Sequence, residues 1–380
     1  MVRRIQNRIV AIGDLHGDFA CLVACLRVAH CILPSGKWNP EITDTTVVVC
    51  GDMIDRYRVG HTELSGEEGE EKTPGEFKFE EEYIVVYLNY LADQCAKLKT
   101  GCRVQKLVGN HELMRLSGDA RYASPYARRN GCVERWMRGT PMAEELMRHG
   151  TKAVTALDGW CFSHASVLPT VVKETRQCKK KAGAGWVCEK RFEAAINQQL
   201  REFAASRRDS EAPEVPALHS AGGILWDRTY SQNDAHTCGQ VSRALELLST
   251  GESKENRAEH FVIAHCPQHC RSAGILSKSE TLANSDPNRV IYTRDCSSPA
   301  ITSACGKTVY RIDVAMSRAW NEDVRCLPHV LEVVRGSGEK QWTRVIAATP
   351  AFYQEIQNPG LFGSIANAKN LVRARVNKLV

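Results

Sequence analysis

The stretch Val47-Val48-Val49-Cys50-Gly51-Asp52-Met53-Ile54-Asp55-Arg56 decides the fold. A β-branched apolar run stops at a glycine and a carboxylate, the pattern of a buried strand whose C-terminal end presents Asp52, with Asp55 and Arg56 on the loop beyond. In open α/β sheets ligands collect at such strand ends. A single aspartate there also serves as a helix cap, so the reading rests on whether the pattern recurs.

It does recur. Upstream, Arg8 to Ile12 is a short apolar strand followed by Gly13-Asp14-Leu15-His16-Gly17-Asp18. In extended chain, residues two apart point the same way, so Asp14 and His16 converge on one point. From Asp18 to Cys31 the apolar spacing turns helical, with Phe19, Leu22, Leu26 and Ala29 on one stripe and Asp18 as N-cap. Strand, helix and strand form a βαβ unit whose two carboxylates leave the sheet at one edge. Downstream, Glu82 to Leu98 is an amphipathic helix, and Arg103 to Val108 a third strand, ending in Gly109-Asn110-His111-Glu112. Asn110 offers a neutral carbonyl ligand and His111 a group able to exchange a proton near neutral pH.

The chain has 380 residues, 43% hydrophobic and 25% charged, with a net charge of +6. That is ordinary for a globular protein and demands no nucleic-acid partner. No apolar run is long enough to span a bilayer. Met1-Val2-Arg3-Arg4 lacks the apolar core and cleavage site of a signal peptide, so a cytoplasmic location is expected. The sixteen cysteines are accordingly expected as reduced thiols. Cys266 and Cys270, beside His265 and His269, have metal-ligand side chains at an unspecific spacing.

Later segments are read more coarsely. Residues 115–150 look helical. Ala153 to Leu157 and Trp160 to Ser163 form a hairpin around Asp158-Gly159 that leads to His164. Gly222 to Trp226 is strand-like and places Arg228 just beyond it. Phe261 to Ala264 is a strand ending in His265. Further strands are expected at Arg289 to Tyr292, Thr308 to Val314, Val330 to Val334 and Trp342 to Ala347. The expected organisation is a catalytic domain over residues 1–350 with an acidic loop insertion at 60–82 and a peripheral helical insertion at 173–215. A basic amphipathic extension follows at 351–380, where a weak contact with a membrane surface or RNA is a further expectation.

Together the strand ends supply Asp14, His16, Asp52, Asn110, His164 and His265, a suitable ligand set for two divalent transition metals, one carboxylate bridging. The motifs Gly-Asp-Leu-His-Gly at 13–17, Gly-Asp-Met-Ile-Asp-Arg at 51–56 and Gly-Asn-His-Glu at 109–112 resemble those of the phosphoprotein phosphatase family of metallophosphoesterases. Cys-Phe-Ser-His-Ala at 161–165 and Ile-Ala-His-Cys-Pro-Gln at 263–268 follow in order. Leu225-Trp226-Asp227-Arg228 and the run Tyr310 to Ser317 look more like its Shewanella-like, bacterial-type branch.

The resemblance implies an α/β fold, the calcineurin-like metallophosphoesterase α/β/β/α sandwich with helical and loop insertions. It also implies a protein Ser/Thr or Tyr phosphatase with two divalent ions, manganese, iron or zinc. By motif match Asp14, His16 and Asp52 would hold one ion, and Asp52, Asn110, His164 and His265 the other. A hydroxide bridging them would attack phosphorus in line. Arg56 and Arg228 would clamp phosphate oxygens, and His111, oriented by Asp55, would protonate the leaving alkoxide. Where the family usually has glycine after this arginine, the chain has Tyr57. Two other readings compete: a dinucleoside polyphosphate or RNA-cap pyrophosphohydrolase on the same fold, and a silent binding module. The first is discriminated by substrate, the second by loss of ligands, and none is missing here.

Overall fold

A computed structural model of the chain describes residues 6–56, 79–181, 185–206, 214–232, 234–253, 257–268, 289–293, 301–320, 326–335, 341–357 and 364–380. The expected acidic insertion up to residue 78, Tyr57 and Cys270 lie outside them.

β1 (Gln6–Ile12), β2 (Thr45–Val49) and β3 (Arg103–Lys106) run parallel, with Val10 opposite Val47 and Val47 opposite Val104. Val47, Val48 and Val49 are buried because the strand is covered on both faces. Burying each such side chain contributes roughly 1.5–3 kcal/mol. The first crossover helix, α1 (Phe19–Val28), begins at Asp18, whose carboxylate accepts the Cys21 N–H at 3.0 Å. The second, α2 (Glu80–Leu98), buries Ile84, Tyr87, Leu88 and Leu91.

β4 (Val154–Leu157) and β5 (Trp160–Ser163) form the expected hairpin. β6 (Lys179–Lys181) and β7 (Gly185–Val187) make a separate ribbon ahead of the helix Phe192–Ala205, so the region 173–215 is not helical throughout. β8 (His260–Ile263), β9 (Arg289–Thr293), β10 (Thr302–Ala304), β11 (Val309–Arg311), β12 (His329–Arg335) and β13 (Gln341–Ala348) complete two sheets. One has the order β3-β2-β1-β12-β13-β9, the other β10-β11-β8-β5-β4. They meet where Trp160 Nε1 donates to Gln341 Oε1 at 2.7 Å and the Tyr310 hydroxyl approaches Thr343 Oγ1 at 3.3 Å. With helices on the outer faces this is the expected α/β/β/α sandwich.

Three expectations are corrected. Gly222 to Trp226 is a turn, not a strand: the N–H groups of Trp226 and Asp227 both donate to the Gly223 carbonyl. The cysteines are not all thiols: Cys178 is bonded to Cys188 and Cys238 to Cys305, and Cys326 is also disulfide-bonded. The second pair is 67 residues apart in sequence, a proximity that only the fold creates. Finally, the C-terminal helix Ser364–Leu379 buries Ala368, Val372 and Val376 in the body of the protein, so its apolar side is not offered to a membrane. Among the described residues no helix is long and apolar enough to cross one.

Candidate metal centre

The C-terminal ends of β1, β2, β3, β5 and β8 converge, and each delivers at least one of the motif side chains. The first two loops are laced together: Leu15 and His16 donate backbone N–H groups to the Asp52 carbonyl at 3.0 and 2.8 Å, and Gly17 to that of Met53 at 2.9 Å. Four non-glycine residues here have left-handed backbone or lie beside that region: His16 (φ 42°), Asp52 (φ 46°), Asp55 (φ 65°) and His265 (φ 65°). Such conformations cost of order 1–3 kcal/mol each and persist where the surroundings over-determine them. Gly51 has φ 91°, and a Cβ there would lie 2.6 Å from the Gly109 nitrogen and 2.8 Å from His164 Nδ1. Only glycine lets these loops approach so closely.

Three of the histidines, His16, His164 and His265, are each aimed by a carbonyl, which can only accept. His164 Nδ1 is 2.8 Å from the Cys50 carbonyl and His16 Nδ1 3.3 Å from that of Ile54, while His265 Nε2 is 3.1 Å from that of Trp226. The nitrogen facing the carbonyl carries the proton, so the other keeps its lone pair for the cleft. His164 Nε2 then lies 2.9 Å from Asn110 Oδ1 and 3.3 Å from Asp52 Oδ2. His16 Nε2 lies 3.8 Å from Asp14 Oδ2 and 4.0 Å from Asp52 Oδ2. Two groups of donor atoms are each mutually within 4.8 Å: His16, Asp52 and His111, and Asp52, His164 and His265. Asp52 belongs to both, as a bridging carboxylate must.

The electrostatics fit cations. Burial raises the Asp14 carboxyl well above its ordinary range, and the carboxylates of Asp313 and Asp52 add to the shift. Burial also opposes ionisation of Asp52, yet the imidazoles of His164, His111 and His16 outweigh it and hold Asp52 well below its ordinary range. His265 is pushed down to about 3, chiefly by burial and then by His164, so it is neutral and able to ligate. Buried carboxylates, an amide oxygen and imidazoles each tied at one nitrogen to a carbonyl are a donor set for two divalent ions.

Beside the cluster, His111 Nδ1 is 2.9 Å from Asp55 Oδ2, and Arg115 Nε donates to Asp55 Oδ1 at 2.6 Å. Arg115 also donates to Glu81 at 2.8 Å, and Glu81 accepts the Asp55 N–H at 3.0 Å. Arg56 is buried and its Nη1 donates to Glu80 Oε2 at 3.1 Å. Arg228 is exposed at the start of a 3-10 turn, close enough for its charge to lower His265 further.

The family model of the calcineurin-like phosphoesterases matches residues 7–168. Over 92% of its length the chain is 24% identical to Shewanella-like protein phosphatase 2 of Arabidopsis thaliana, covering 80% of that protein. A shorter match, 32% identical over 117 residues, is to an uncharacterized protein of Schizosaccharomyces pombe, of which it covers 28%. Among solved structures, a cold-active protein tyrosine phosphatase superposes with a TM-score of 0.55 over 89% of this chain and 78% of that one, at 15% identity. The corresponding enzyme of a Shewanella species gives 0.54 at the same identity. These likenesses support the phosphoesterase fold across both sheets, beyond the span of the family model.

All ten motif side chains named from the sequence lie in or beside one cluster, buried except for Arg228. Sequence reasoning missed the layer behind them. Glu112, quoted in a motif but given no task, accepts four backbone N–H groups: those of Asp52 (2.9 Å), Met53 (2.8 Å), Ile54 (3.2 Å) and Gly109 (2.7 Å). It fixes the loop that carries Asp52. Asp313, inside the Tyr310 to Ser317 run, is buried near Asp14, and its charge adds to the upward shift of the Asp14 carboxyl. Arg115 sits three residues beyond Glu112, one helical turn along α3 (Asn110–Leu116), which was a usable signal.

Proposed function

We propose that this chain is a metal-dependent phosphomonoesterase acting on phosphoproteins. In this reading Asp14, His16 and Asp52 hold one divalent ion, and Asp52, Asn110, His164 and His265 a second. Manganese, iron and zinc all suit imidazole with carboxylate. Ions held there would acidify a water and withdraw charge from a phosphate oxygen. Arg56 and Arg228 bind the remaining phosphate oxygens through their guanidinium forks. His111 delivers a proton to the departing alkoxide, oriented by Asp55.

The observation that carries the reading is the Asp55–His111 pair, buried and 2.9 Å long beside the metal cluster. A serine, threonine or tyrosine leaving group needs a proton. In the second reading, dinucleoside polyphosphate or RNA-cap hydrolysis, the leaving group is a phosphate that departs without one, so a dedicated acid favours the monoester. The phosphatase names of the relatives support the same choice.

The test compares a phosphopeptide, an aryl phosphate and diadenosine tetraphosphate with manganese present, for wild type and His111→Asn. Wild type should turn over the first two, and the variant should lose roughly 10²–10⁴-fold on the phosphopeptide. It should lose less on the aryl phosphate. Turnover of the dinucleotide alone would replace this reading with the second.

A further inference from the structure

Behind the six strand-end donors lies another buried carboxylate, Asp313, two residues beyond β11 and 1% exposed. Its backbone is fixed between two of the loops that build the metal centre. The Gln268 N–H donates to the Asp313 carbonyl at 2.8 Å. The Ile312 N–H donates at 2.8 Å to the carbonyl of Ile263, on β8, the strand that leads to His265. From the other side, a Cβ on Gly13 would crowd the Ile312 carbonyl oxygen and fall 3.2 Å from the Asp313 Cα. The chain just ahead of Asp14 therefore packs directly on this segment. Ser317, four residues on, donates its hydroxyl to the His16 carbonyl at 3.4 Å. Asp313 is thus set close to Asp14, and each of the two carboxylates feels the other and Asp52.

Other buried carboxylates around the cluster are satisfied by the protein itself. Asp18 pairs with Arg318 and Asp55 with Arg115, and Glu112 accepts four N–H groups. Asp313 differs. Its Oδ1 accepts the Ala315 N–H at 3.1 Å, but its Oδ2 is buried and accepts no hydrogen bond from the described residues. A carboxylate oxygen buried bare beside two further carboxylates is costly unless a cation offsets it. We propose that Asp313 is the third carboxylate of the metal centre, a positioning residue whose charge and free oxygen, beside Asp14, tighten the hold on the first ion. The inference rests on the reading of the cluster as a two-metal site, and adds to it a residue beyond the span of the family match. In the metal-free protein the same charge has nothing to offset it, so Asp313 should lower the stability of the empty fold while raising its affinity for the ion.

The experiment strips the full chain with a chelator, titrates it with manganese by calorimetry, and records thermal unfolding with and without the ion. Asp313→Asn keeps the shape and the acceptor for the Ala315 N–H but removes the charge. It should weaken one of the two manganese steps by about 10–100-fold, the range for residues that support a metal ligand. The stripped variant should unfold at or above the wild-type temperature, because a buried like charge has gone. Asp313→Ser, smaller and also uncharged, should weaken the same step to a similar extent. Unchanged manganese affinity in Asp313→Asn overturns the proposal. Weaker binding together with a lower Tm of the stripped Asp313→Asn protein also overturns it, by showing that the carboxylate is merely structural. Affinity lost in only one of the two variants traces the effect to shape and does the same. Wild type that binds neither manganese nor zinc sinks the two-metal reading and this inference with it. Wild type that binds two ions alongside an indifferent Asp313→Asn sinks this inference alone.

Discussion

Arg115 and His111 grip opposite oxygens of Asp55, at 2.6 and 2.9 Å, with every member of the row buried. The guanidinium keeps the carboxylate pointed at the imidazole, so in the proposed mechanism the orientation of His111 depends on Arg115. Arg115→Met would leave Asp55 and Glu81 buried without their cation, a change that costs about 3–5 kcal/mol. The expected kinetic result is a loss of kcat on phosphopeptides, bounded by the roughly 10²–10⁴-fold worth of a general acid. On an aryl phosphate, whose leaving group needs less help, the loss should be smaller. Equal losses on both substrates would show that Arg115 supports the metal ligands instead.

Gly109 lies against the Asp52 carboxylate. A Cβ there would meet the Asp52 nitrogen at 2.6 Å and crowd its Oδ1 atom. Gly109→Ala should displace Asp52 and weaken metal binding by about 10–100-fold, the usual penalty for disturbing the support of a ligand. Metal content after dialysis against a weak chelator checks this without any activity assay.

Lys106 is buried, with its ammonium 2.5 Å from Asn89 Oδ1 and 2.9 Å from the Leu146 carbonyl. Burial pulls it from the ordinary 10.5 down to about 7. Above pH 7 the folded protein sheds this proton while the unfolded chain keeps it up to about 10.5. The unfolded state then binds more protons, so this group makes stability rise with pH across that window. Below pH 7 it is charged in both states and its burial cost is felt in full. Lys106→Met removes the titration. Its stability relative to wild type should therefore be better at pH 6 than at pH 9, measured by denaturant unfolding at both. A pH-independent difference would show that Lys106 titrates normally.

Peptide mapping after alkylation without reductant should join Cys178 to Cys188 and Cys238 to Cys305. Buried Cys21, Cys25, Cys50 and Cys161 should remain thiols. Recovery of both bridges from protein alkylated at lysis would point to an oxidising compartment. Their absence would fit the cytoplasmic location expected from the sequence.

The strand ends were legible because the signal is local: an apolar run, a glycine and a donor, all within a few residues. That alone located Asp14, Asp52 and Asn110, and the order of motifs extended it to His164 and His265. What surrounds the donors was not legible, because its partners are distant in sequence. Arg115 and Asp55 are 60 residues apart, and Lys369 and Glu80 are 289 apart. The Gly222 to Trp226 run misled because a short apolar stretch has no period that separates a turn from a strand. The basic C-terminal segment was read by composition, and composition does not show that two of its cations are spoken for by buried glutamates.

β1 is central in its sheet because β12 pairs along its other side, Arg8 opposite Val334 and Ala11 opposite Leu331. β1 therefore borrows its second neighbour from more than 300 residues away. A fragment ending near residue 168 would keep five of the six donors, yet leave β1 as an uncapped edge rich in valine and isoleucine. Such an edge recruits other chains. The catalytic half is thus no portable module, and attempts to express it alone should yield aggregates before they yield an enzyme.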